Sequence, residues 1–133
     1  MFYFTHILQG NVYLNLMLSN AGVNKVLLLG VTQQLFEEKL IGDQSFLCFE
    51  LITAEPIKKG TIFVDHHEIH SIMVPQKLIE QDSLNLISGQ TLYIEGKIQT
   101  TASYDSKKVK RYKLAIIASR VEILVSIIVP VVH

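Results

Sequence analysis

Ser88-Gly89-Gln90-Thr91-Leu92-Tyr93-Ile94-Glu95-Gly96-Lys97-Ile98 is the stretch whose reading decides the fold. Gly89 follows a candidate helix and suits a C-terminal cap, where a left-handed backbone costs glycine little. Thr91 to Glu95 is short, β-branched and aromatic, which favours a strand. Gly96 interrupts that strand and predicts a bulge or sharp bend, the feature a small sheet needs to curl into a barrel.

Working upstream, Pro75 ends a strand through Glu68-Ile69-His70-Ser71-Ile72-Met73-Val74, and Gln76 to Ser88 is the candidate helix. Leu78, Ile79, Leu86 and Ile87 give it one apolar side; Lys77 opens it. Earlier still, Asn24 to Gly30 is a nearly continuous apolar run, the pattern of a strand buried on both faces or at a subunit contact. Gly42-Asp43-Gln44 reads as a loop, Ser45 to Ala54 as a second strand, and Pro56-Ile57-Lys58-Lys59-Gly60 as a further loop. Downstream, Gln99 to Lys108 is polar, with Tyr104-Asp105-Ser106 as turn material. Val109 to Ala118 and Val121 to Leu124 then read as a last strand broken near Ser119.

These residues carry a resemblance. Gly-x-x-Leu-Tyr-Ile-Glu-Gly-Lys-Ile after a short helix is similar to the centre of the bacterial and mitochondrial single-stranded DNA-binding proteins. Val23-Asn24-Lys25-Val26-Leu27-Leu28-Leu29-Gly30 resembles their opening strand, and Phe49-Glu50-Leu51-Ile52-Thr53 their second. The resemblance runs over about residues 22 to 125. It implies an all-β, five-stranded OB-fold Greek-key barrel with one short helix between strands 3 and 4. Where the family continues its first strand with Gly-Asn-Leu-Gly-x-Asp-Pro-Glu, this chain has Val31-Thr32-Gln33-Gln34-Leu35-Phe36-Glu37-Glu38, so its first turn departs from the pattern.

The chain has 133 residues, one domain's worth, with 49% hydrophobic and 18% charged residues, a balance that argues against disorder and suits burial against sister subunits or a generous core. Its single cysteine, Cys48, excludes an internal disulfide and fits a reducing compartment. The formal net charge of zero is unevenly spread: residues 37 to 95 hold ten acids and four bases, whereas residues 96 to 120 hold seven bases against Asp105 alone. A neutral total therefore conceals a basic face, and local positive charge beside phosphate is what drives counterion release.

Non-specific single-strand binding combines cations that track phosphates with aromatic platforms that stack bases. The expected cations are Lys58 and Lys59, Lys77, Lys97, and Lys107, Lys108, Lys110 and Arg111 on a hairpin tip, against a plainly solvated tip. By resemblance, the family's stacking aromatics fall on Pro56, Ile69, Pro75 and Ser103, none of them aromatic, and the chain contains no tryptophan. Tyr104, Tyr112 and Phe63 are the candidate substitutes. Asn24, Val26 and Leu28 are the expected subunit-contact residues, joined by His70, whose position the resemblance associates with contacts between subunits.

On a strand His66, Glu68 and His70 share one face and suit zinc, but His6 and His133 lie far off in the sequence and no second ligand cluster accompanies the three. A polar loop edge is the favoured reading, with no metal and no cofactor. No phosphate loop, nucleophile elbow or paired-cysteine motif is present, so no enzyme is expected. Residues 1–21 read as a leader or disordered extension. They are acid-free but also lack Lys and Arg, and resemblance alone points them to mitochondria. Residues 126–133 read as a short apolar extension, too short to cross a membrane, and the acidic tail of bacterial members is missing. The expected function is single-stranded DNA binding and protection in mitochondrial DNA replication by a homo-oligomer, a tetramer by resemblance or a dimer, with replication proteins as further partners. The alternative is an OB-fold assembly subunit that binds protein partners, as in replication or RNA-editing particles.

Overall fold

The computed structural model describes residues 21–125; all but the last residue of the expected leader and the whole of the apolar C-terminal extension lie outside them. Five strands, β1 (Val26–Ile41), β2 (Gln44–Lys59), β3 (Ile62–Pro75), β4 (Thr91–Tyr104) and β5 (Lys110–Leu124), and one helix, α1 (Gln76–Gln81), follow in that order. The strands close into a barrel in the order β1-β2-β3-β5-β4. All pairings are antiparallel except the short parallel contact of Ile72 with Ile116 and Met73 with Ile117, which completes the circle. With its helix between β3 and β4, this is the OB-fold barrel. Among the described residues no helix is long and apolar enough to cross a membrane.

Alternation sets the interior. Phe49 and Leu51 of β2, Ile72 and Val74 of β3, Leu92 and Ile94 of β4, and Ile116, Ala118 and Val121 of β5 form the core. Leu78, Ile79, Leu84 and Leu86 pack against it and stop one end of the barrel.

The helix is shorter than the apolar spacing predicts, and its end explains why. Ser83 takes a left-handed φ of 50°. The Leu84 N–H donates to the Ile79 carbonyl at 2.9 Å and the Ser83 N–H to Glu80 at 3.4 Å, the paired bonds of a Schellman stop. Gly89, expected as the cap, also has a positive φ of 77° but turns a loop eight residues beyond the last helical residue, Gln81. Ile87, expected on the buried side, is exposed, and Leu84 packs in its stead.

Thr32 holds that loop. Its hydroxyl donates to the Ile87 carbonyl at 2.8 Å and accepts from the Gln90 N–H at 3.0 Å, while its backbone exchanges bonds with Gln90 and Gly89. It is the one buried polar residue among those described. Thr32→Val keeps the shape and orphans the groups it served, so unfolding in urea should show a loss of about 1–3 kcal/mol. An unchanged midpoint would mean that the loop re-forms its bonds elsewhere.

Three segments outside the expected strands belong to strands. Val31 to Glu38 continues β1, and the pairing jumps from Thr32 opposite Leu51 to Phe36 opposite Phe49, so β1 carries two extra residues there. This irregularity lets β1 pair with β4 in its first half and with β2 in its second. Residues 56–59 extend β2, and beyond Ile52 that strand has β3 on one side only. Proline is tolerated on such an open edge, and Pro56 sits there opposite Asp65. Residues 99–104 extend β4 against Lys110 to Ala115. Two two-stranded arms, β2–β3 and β4–β5, therefore project from the barrel. The expected break near Ser119 and the expected bulge at Gly96 are one feature: Glu95 faces Arg120 and Gly96 faces Ala118, leaving Ser119 as the extra residue.

Candidate nucleic-acid interface

Strand pleat and register sort the exterior residues. On one side of the barrel, β2 presents Phe46, Cys48, Glu50 and Ile52, β3 presents Ile69, Ser71, Met73 and Pro75, β5 presents Arg111, Lys113, Ala115 and Ile117, and β4 presents Lys97, Gln99, Thr101 and Ser103. These make a shallow groove, with a hollow of about 230 Å³ lined by Phe46, Met73, Pro75, Lys97, Ala115 and Ile117 among others. Ile69, Pro75 and Ser103 all fall on this face, and Pro56 lies on its continuation along the β2–β3 arm. The positions at which the resemblance places base-stacking rings are thus gathered on one surface, and the rings are absent from all of them.

The cations divide. Lys97 and Lys113 face the groove, and Lys39 stands at its rim opposite Phe46. Arg111 also points this way, but its guanidinium donates to Asp105 at 3.1 Å. Arg120, part of the basic segment in sequence, is bonded to Glu95 and Glu122 away from the groove and takes no part in it. Lys58 shares the groove side of its arm with Phe63, a ring 68% exposed, whereas Lys59 points to the opposite side. Lys77 opens α1 beside Pro75 and lines a recess with Asp43 and Gln44 at the groove's end. Lys107 and Lys108 occupy the tip of the β4–β5 arm. Lys110, Tyr104 and Tyr112 belong to the arm's other face, so two of the three substitute aromatics do not reach the groove.

The tip is an ordered turn rather than a loose polar loop. The Asp105 carboxylate accepts the Lys107 and Val109 N–H groups, both at 2.9 Å, as well as Arg111. The Val109 amide first, with Arg111 and the Lys107 amide, holds its pKa below the ordinary carboxylate range. Cys48, in the groove wall, has its thiol pushed up by burial, with Lys39 and Lys113 pulling the other way. It stays protonated and packed.

The expected subunit residues are placed differently. Val26 and Leu28 turn inward against the core, because β1 alternates; Leu27, Leu29 and Val31 are the ones left exposed, beside Tyr93 of β4. Asn24 clamps β4, its side-chain amide donating to the Ile98 carbonyl at 2.8 Å and its oxygen accepting the Ile98 N–H at 2.9 Å. His70 is half-buried and bonded to the Thr53 hydroxyl at 2.9 Å. His66 pairs with Glu68 at 2.7 Å, and no group of three metal-ligating side chains occurs among the described residues.

No curated protein matches the chain. Among solved structures it is similar to the Plasmodium falciparum SSB in complex with ssDNA, with a TM-score of 0.68 and 20% identity over 79% of this chain and 97% of that one. It is also similar to a deletion mutant of the single-stranded DNA binding protein from Thermus aquaticus, with a TM-score of 0.64 and 16% identity over 77% of this chain and 51% of that one. A third is the small single-stranded DNA-binding protein from Streptomyces coelicolor, with a TM-score of 0.56 and 13% identity over 74% and 92% of the two chains. At such identities these are likenesses of fold. The sequence model of the Single-strand binding protein family matches residues 23–124, most of the chain, and the chain therefore belongs to that family.

Proposed function

We propose that this chain binds single-stranded DNA without sequence preference and without chemistry of its own, holding the polynucleotide by charge more than by ring-on-base contact. The observation that carries this reading is the groove face, where Lys97 and Lys113 line the same surface as Ile69, Pro75 and Ser103. Family membership supports it, as does the Plasmodium relative's complex with ssDNA. With no aromatic at those positions the groove itself supplies little salt-insensitive stacking, and phosphate neutralisation carries most of its affinity.

Fluorescence anisotropy with oligo-dT at two salt concentrations tests this. The expected result is weak binding that falls steeply with salt, and K97A/K113A lowering the slope of log affinity against log salt by about 1.4, at roughly 0.7 per phosphate contact on a single strand. Micromolar or tighter binding that barely responds to salt would contradict it.

The finer parts of the reading are DNA protection during replication, a mitochondrial setting and a homo-oligomer. The exposed row Leu27, Leu29 and Val31 with Tyr93 favours self-association, and the ion pairs of Glu95 with Lys25 and Arg120 at its border suit a fixed register. The same row favours the second reading, an assembly subunit. Light scattering on the chromatographed full chain, with and without a dT oligomer, separates them. An oligomer indifferent to DNA and unable to bind it supports assembly alone, and imaging of the tagged full chain decides the compartment.

A further inference from the structure

We propose, building on the DNA-binding reading above, that the face of the β4–β5 arm turned away from the groove is a second, separable platform for single-stranded DNA, on which Tyr104 and Tyr112 stack bases. Register puts Tyr104 opposite Lys110 and Ala102 opposite Tyr112, so the two tyrosines are diagonal neighbours on one face, about 7–8 Å apart at the backbone. Both rings stand in solvent, at 70% and 68% exposed. A buried-core role is excluded at that exposure. Lys110 Nζ lies 5.2 Å from the centroid of the Tyr112 ring, a cation–π contact that occupies one side of the ring and leaves the other to a base.

Charge selects the occupant. Asp105 is the single acid between Gly96 and Arg120, and both its oxygens are engaged by the turn and by Arg111. The arm therefore offers aromatic planes with cations and no free acid, the combination that suits a polynucleotide over a protein surface. Lys107 and Lys108 sit at the tip between the two faces. An oligonucleotide leaving the groove at Lys113 passes them and reaches Lys110, so cations line the way from groove positions Ile69, Pro75 and Ser103, which carry no ring, to a surface that presents two tyrosines.

The test uses the full chain and dT30 at two salt concentrations. Y104A/Y112A should weaken binding about ten- to hundredfold at both, leaving the salt slope unchanged, because stacking releases no counterions. Y104F/Y112F, which keeps the rings, should bind within about threefold of the parent. Tyrosine emission should be quenched by dT30 in the parent and lose most of that quenching in Y104F/Y112F, which does not depend on how the alanine variant folds. An alanine variant within twofold of the parent, a phenylalanine variant as weak as the alanine one, or quenching that survives in Y104F/Y112F overturns the platform. So does an alanine variant whose oligomer dissociates while its DNA affinity holds, which would make this a protein contact. If the parent itself fails to bind dT30, the underlying function is wrong, a result distinct from all of these.

Discussion

Tryptophan placed at Ile69 and Ser103 should tighten binding of oligo-dT by about tenfold or more per ring, with little change in folding stability. Both side chains are exposed on the groove face, so a larger ring there projects over the surface and displaces no core packing. Base stacking on a protein ring is worth about 1–3 kcal/mol, and 1.4 kcal/mol is a factor of ten in affinity. The gain should persist at high salt, since stacking adds no phosphate contact. Because the chain has no native tryptophan, each variant also reports its own contact. Emission that oligo-dT leaves unchanged, while anisotropy shows the oligonucleotide bound, would place the DNA path off the groove.

Gly30→Ala and Gly96→Ala should each destabilise the barrel by about 3 kcal/mol, at the severe end of overpacking. A Cβ on Gly30 would overlap the Ile52 carbonyl, and one on Gly96 the Ile117 carbonyl. In both places the obstacle is backbone of a neighbouring strand, which has no rotamer to yield. Separating the strands opens the ladder at the β1–β2 junction in one case and at the β5 bulge in the other. Gly22→Ala, with open space around it and no positive φ, is the control and should be neutral. Urea midpoints decide the matter; a tolerated Gly96→Ala would mean that the bulge can slide.

Much of the barrel was legible because alternation of apolar residues in 45–54, 68–74 and 91–98 maps directly onto pleat. The arms were not. Pro56 to Lys59 is exposed on both sides, since neither side of a protruding two-stranded arm is buried, and a proline leading to Lys-Lys-Gly reads as loop. The helix was overextended because Leu86 and Ile87 keep an apolar rhythm after the chain has left the helix, and a left-handed serine gives no signal comparable to glycine. Thr32 carried no sequence signal at all; its role arises from a loop 55 residues away.

The site was legible as a set of residue types but not as an arrangement. Lys110 and Arg111 are adjacent on an expected strand and therefore on opposite faces, but only the register shows which of them is on the groove side. Val26 and Leu28, which pack against the core, likewise read as outward residues in place of the exposed Leu27 and Leu29. Without register, an uninterrupted apolar run cannot say which half of it faces out.

The open edge of β2 past Ile52 bears finally on how the protein behaves in a crowded solution. A strand that projects with unpaired amides is a template on which a second molecule can add its own strand and start an aggregate. Pro56 sits in that segment without an N–H to offer, with Glu55 before it and Lys58 two residues on, and makes such growth unfavourable. At the position where the resemblance places a ring for a base, this chain carries a residue that guards against its own polymerisation.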